Sequence, residues 1–104
     1  MPSEDRQQHR LLQKEYGSFY RGVRDILFRH DPMELGGKHN TGDYDLEVDV
    51  FLSRIREAEH LKSLQDLLFE VFVADFGAEN CGSRDRFDAA ASEIWKAYER
   101  HLVR

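Results

Sequence analysis

One cysteine, Cys81, is all the thiol chemistry the 104 residues hold. A lone thiol cannot close an intramolecular disulfide, so the fold must rest on packing, as is ordinary in a reducing compartment. Long apolar runs are missing as well. The most apolar stretch, Leu67 to Phe76, is interrupted by Glu70 and Asp75, well short of the roughly 20 residues that span a bilayer. Basic residues are in deficit, 15 against 20 acidic ones, for a formal net charge of −5. That balance excludes a general nucleic-acid binder, which needs a basic stripe to neutralise phosphates. A charged partner would instead be basic. The polar N-terminal stretch, Met-Pro-Ser-Glu-Asp-Arg-Gln-Gln-His-Arg, carries no apolar signal segment. These absences together lead us to expect a cytoplasmic protein without nucleic acid or membrane as partner.

What is present suits one helical domain. Hydrophobic residues make up 40%, including 7 Phe, 4 Tyr and 1 Trp, enough for one core in a chain of single-domain length. Glycine and proline punctuate it at Asp31-Pro32 through Gly42, at Gly77 and at Gly82-Ser83. With a polar break near His60 to Lys62, these signals leave four apolar-periodic segments.

The first segment runs from about Ser3, a candidate cap, to His30. Leu12, Tyr16, Phe19, Val23, Ile26 and His30 recur at helical spacing, widened by Leu11, Tyr20 and Leu27. Gly17 marks a place where the helix could bend. The second segment, Asp43 to about Glu59, reads two ways. Tyr44, Val48, Phe51, Leu52 and Ile55 fit a helix capped by Asp43, whereas Tyr44, Leu46, Val48 and Val50 alternate with acids as a strand would. Helical spacing continues from Ser53 to Glu59, which favours helix. The third segment, Ser63 to Phe76, opens with Ser63 and Asp66 at capping-box spacing. Leu64, Leu67, Leu68, Val71 and Phe72 form one face of it, and Phe69, Val73 and Phe76 a second. The fourth, from Ser83 or Arg84 to Leu102, shows the cleanest stripe: Phe87, Ala91, Ile94, Trp95, Tyr98 and Leu102. The expected fold is all-α: a compact, four-helix, antiparallel bundle-like single domain over residues 1–104. A short strand near Tyr44–Val50 is the open alternative.

Chemistry-bearing side chains gather between His30 and Asp49, where His30, Asp31, His39, Asp43, Asp45, Glu47 and Asp49 surround a glycine-bearing loop. Imidazoles mixed with carboxylates suit a metal, but the spacing meets no specific pattern. A calcium loop from Asp43 would need glycine where Val48 stands and glutamate where Arg54 stands. Gly36-Gly37-Lys38 lacks the rest of a phosphate-binding loop. Cys81 has no base near it in sequence and reads as a surface or half-buried thiol in a loop. His9, His60 and His101 read as solvent-facing or helix-end residues, and Trp95 and Tyr98 as core. No catalytic, cofactor or metal residue is assigned.

Asp31-Pro32 has a structural use. Proline disfavours helix in the residue before it, so the first helix should stop near His30, with the Asp31 carboxylate accepting backbone N–H groups in the turn. Val23-Arg24-Asp25-Ile26-Leu27, Asp31-Pro32-Met33-Glu34-Leu35 and Gly42-Asp43-Tyr44-Asp45 together resemble a pattern of small bacterial proteins. That pattern is I-x-x-I-L-x-x-x-D-P-[MI]-G-[LV] followed by D-E-Y-D and a further helix. The proteins form a helical family of unknown function and include ones similar to immunity partners of polymorphic toxins. The likeness covers Phe19 to Phe76. Glu34 departs from it where the pattern has glycine, and Gly42 where it often has an acid. The resemblance implies helix after Asp43, a structural motif of Asp31, Pro32, Asp43, Tyr44 and Asp45, and no catalytic residue.

The expected function is therefore non-enzymatic protein binding of the immunity type, neutralising a toxin such as a basic nuclease domain. Asp43, Asp45, Glu47 and Asp49 are the candidate contacts. The alternative is a homo-oligomeric structural or regulatory domain joined through Phe69, Val73 and Phe76. A small metal-dependent enzyme around His30 and His39 is the third reading.

Overall fold

The computed structural model of the chain describes residues 2–35 and 44–103, with side chains from Gln7 onward. Among the described residues the fold is all-α, with six α-helices: α1 (Pro2–Tyr16), α2 (Ser18–His30), α3 (Asp45–Ser53), α4 (Leu61–Phe76), α5 (Ala78–Cys81) and α6 (Asp88–Leu102). Short 3-10 turns at Ile55–Glu57 and Arg84–Phe87 lead into α4 and α6. The strand alternative at Tyr44–Val50 is settled as helix.

Six helices rather than four arise for identifiable reasons. The first predicted segment is broken, not merely bent, because Gly17 takes φ 53° and ends α1, a conformation that glycine enters without a steric cost. The described helix starts at Pro2, so Ser3 lies within it rather than capping it. The loop expected around Cys81 closes one helical turn, α5, and its thiol is buried rather than on the surface. Ser63 does not begin α4 either. His60 is the cap: its Nδ1 accepts from the Ser63 N–H at 3.2 Å, while Ser63 Oγ accepts from the His60 N–H at 3.0 Å. This is a reciprocal capping box with histidine in the usual serine place.

The helices close over one core. Tyr20, Val23 and Leu27 of α2, Val48, Phe51 and Leu52 of α3, Leu64, Leu68 and Phe72 of α4, and Ala91 and Ile94 of α6 are all buried. Phe72 is its aromatic centre, with Phe87 at 5.0 Å and Tyr44 at 5.6 Å between ring centroids. Truncating such a ring costs about 3–5 kcal/mol. Leu11, expected to widen the first stripe, is instead 66% exposed. The second face of α4 is covered by the chain itself: Phe69 meets Phe87 edge-on at 5.7 Å with the Arg84 guanidinium over its ring, and Phe76 stacks on Phe72 at 5.8 Å. Val73 also packs against the core. Phe69, Val73 and Phe76 are thus partly buried against the core.

Asp31 terminates α2 in the left-handed conformation, φ 46°, which aspartate tolerates better than most residues. Its Oδ1 accepts from the Leu35 N–H at 2.8 Å and from the Tyr44 hydroxyl at 2.7 Å. The same hydroxyl accepts from the Met33 N–H at 3.1 Å. Burial, and then this bond to Asp31, raises the Tyr44 phenol above its usual range. Pro32 is buried beneath the turn. Asp31 and Tyr44 thereby latch the end of α2 to the start of α3, which fixes how α3 is presented. Glu34 also sits at positive φ, 55°, at the place where the bacterial pattern has glycine.

Candidate functional site

α3 is nine residues long and apolar on two sides. Val48, Phe51 and Leu52 face the core, while Leu46 and Val50 stay 61% and 40% exposed. Residues four apart share a helix face, so Leu46 and Val50 form one outward ridge. The strand-like alternation of the sequence has this origin: alternate apolar residues belong to opposite sides of a helix.

A cavity flanks the ridge on each side. Toward α4, one of about 180 Å³ is lined by Leu46, Glu47, Val50, Val71, Ala74 and Asp75. Toward α1, one of about 160 Å³ is lined by Gln8, Leu46, Asp49, Val50 and Ser53. Carboxylates enter both, and neither lysine nor arginine lines either.

Among the described residues Glu47 is the buried acid, 3% exposed. It occupies the inward stripe, three residues after Tyr44 and four before Phe51. Burial pushes its carboxyl up to about 8, reinforced by the Asp75 side chain, to which it is hydrogen-bonded. Two carboxyl groups that share a site cannot both ionise cheaply.

On the α1 side, Asp49 Oδ1 accepts from the Tyr20 hydroxyl at 2.7 Å, and His9 Nδ1 lies 2.9 Å from both Asp49 oxygens. Burial and then the bond to Asp49 raise the Tyr20 phenol. An imidazole oriented by a carboxylate can serve as a general base. The nearby hydroxyl, Ser53, however, donates to the Val50 carbonyl at 2.6 Å. The cluster's evident effect is to join α1, α2 and α3. Asp45 is held by Arg24 of α2, Oδ1 to Nε at 3.2 Å.

Of the four acids proposed as partner contacts, three are thus engaged within the fold, and Asp43 lies outside the described residues. The acidic surface read from the sequence is, in its described part, a set of intramolecular ties around an apolar ridge. The ties of His9 and Tyr20 to Asp49 escaped the sequence reading, because contacts 40 and 29 residues apart leave no local signal. His9 is correspondingly half-buried rather than solvent-facing.

The described residues behind the metal reading are engaged with other partners. His30 Nε2 pairs with Glu93 of α6 at 2.7 Å, away from Asp31, and His39 lies outside the described residues. Among the described residues no group of three or more His, Cys, Asp or Glu is placed to hold a metal ion. A larger cavity, about 360 Å³, lies between α2 and α6, lined by Ser18, Phe19, Gly22, Ala97, Arg100 and His101. Its charged group, Arg100, is exposed, and His101 is stacked on Phe19 at 5.1 Å. The α3 face is the stronger candidate because buried and exposed groups of matched chemistry meet there. No helix among the described residues is long and apolar enough to cross a membrane. No protein-family model, curated protein or solved structure matches the chain.

Proposed function

We propose that the chain is a non-enzymatic protein-binding domain of the immunity type and that the outward face of α3 carries its partner. The observation behind this is the Leu46–Val50 ridge, exposed between two carboxylate-lined cavities on a helix held by the core, the Asp31–Tyr44 latch and the His9–Tyr20–Asp49 cluster. A rigid helix presenting apolar anchors in a polar rim is how protein interfaces concentrate binding energy. The acidic balance of the chain, −5, favours a basic partner and a salt-sensitive association rate. A toxin-like basic domain fits that chemistry, and the resemblance of the Asp31-to-Asp45 motif to immunity-like proteins points the same way. The homo-oligomeric reading would use Phe69, Val73 and Phe76, which are partly buried against the core.

The test is a Leu46→Asp/Val50→Asp variant, measured against a partner reconstituted from purified components. The variant should melt like the parent, since both side chains are outward, yet bind at least about 100-fold more weakly, as loss of central anchors does. In cells, it should fail to relieve the toxicity of a toxic partner that the parent relieves. Equal affinity of variant and parent would move the partner to another face.

A further inference from the structure

We propose that the cavity between α3 and α4 is a socket for one lysine side chain of the bound partner. Its four-carbon stem would lie on Leu46, Val50, Val71 and Ala74, and its ammonium would meet Glu47 and Asp75. The inference rests on the protein-binding reading of the α3 face and names what that face selects.

Three observations carry it. The lining divides into an apolar wall and two adjacent carboxyl groups, with no cation among them. That division matches lysine, an apolar stem ending in a compact cation with three donors. The volume, about 180 Å³, suits one extended side chain and is too small for a folded segment. Glu47 itself is withdrawn among apolar neighbours at 3% exposure, with another acid as its side-chain hydrogen-bond partner. Two carboxyl groups held together in this way need a positive charge, and a proton is what the isolated chain can supply. An ammonium entering the socket takes over that role: the Glu47 proton leaves to solvent, and both carboxylates accept from the ammonium. The Glu47 O–H is the bond that breaks, and docking of one lysine well below pH 8 releases close to one proton to solvent, fewer as pH rises past it.

The groups facing Glu47 are Asp75 from α4, Asp45 of its own helix, held by Arg24 of α2, and the phenol of Tyr44 at the start of that helix. As pH rises toward about 8 the proton is given up more readily, so a cation should bind more tightly in alkaline than in mildly acidic solution.

The experiment is an NMR titration of the full chain with N-acetyl-lysine N-methylamide, and with its norleucine counterpart, which has a similar apolar stem and no charge. The amine should shift resonances of Leu46, Val50, Val71 and Ala74, with a dissociation constant of about 1–10 mM. Binding should tighten by roughly tenfold between pH 6.5 and pH 8.5. Glu47→Gln keeps the side-chain shape and a hydrogen bond to Asp75, and should weaken the amine and flatten that pH dependence. Absence of shifts, or equal shifts from the norleucine probe, would overturn the socket. So would a concentration-dependent dimer that Leu46→Asp dissociates, because a second copy would then own the face. The probe comparison uses the native chain and holds whether or not the variant folds. It is also independent of the Leu46/Val50 partner test, so either reading can fail while the other stands.

Discussion

Two glutamates on neighbouring seams of the fold meet opposite surroundings. Glu93, where α6 packs on α2, lies 2.9 Å from Arg29 Nη2 and 2.7 Å from His30 Nε2. Arg29 and then His30 hold its carboxyl down at about 2. Glu47, where α3 packs on α4, is buried, faces Asp75 and is held up at about 8. The first carboxylate is placed where folding favours its charge, and the second where folding opposes it. A seam that serves only stability is expected to resemble the first. The second belongs to the face that we assign to a partner, and functional sites commonly retain groups that the fold alone would discard.

Breaking the turn that orients α3 should give the largest effect. Asp31→Ala removes the acceptor of the Leu35 N–H and the Tyr44 hydroxyl and leaves alanine at φ 46°. A loss of about 2–3 kcal/mol in urea unfolding is expected; unchanged stability would refute the latch. Glu93→Gln sharpens the other side of the comparison. Its side chain is 41% exposed, so solvent screening limits the expected loss at pH 7 to about 0.5–1 kcal/mol. A depressed carboxyl stabilises above its unfolded value near 4.5 and loses that contribution as pH falls through about 2. Parent and variant should therefore converge in acid. The smallest effect is at Glu34. Glu34→Gly relieves a side chain at φ 55° whose Arg86 partner, at 3.1 Å, is an exposed contact. After the chain entropy of glycine is set against that relief, a gain of roughly 0.5 kcal/mol should appear as a higher melting temperature.

The sequence made the helices legible wherever a single apolar stripe faced a polar side, as in α2 and α6. The turn was legible too, since proline after aspartate restricts both the backbone and its hydrogen-bonding options. α3 was hard to read because its two apolar sides imitate strand alternation. Glu47, read from the sequence as a surface contact, is buried because it shares the inward stripe with Tyr44 and Phe51. Other features had no local signal. The pairing of His9 with Asp49 depends on three helices meeting. The coverage of Phe69 depends on Arg84 and Phe87 returning from a later turn. His60 acts as the cap of α4 through a geometry that the serine three residues on only partly implies.

The pH dependence of stability at Glu47 bears most directly on the view that α3's outer face is kept against the interest of folding. A carboxyl raised in the folded state binds its proton more tightly there than in the unfolded chain. Stability should then be complete below pH 4.5 and fall as pH rises toward about 8. Urea unfolding of the native chain and of Glu47→Gln, at intervals from pH 5 to pH 8.5, isolates this group because the remaining titrations cancel between the two. The account predicts near-equal stability at pH 5 and a variant more stable by roughly 3–4 kcal/mol at pH 8.5. A difference that stays constant with pH, or a variant less stable at pH 8.5, would contradict it.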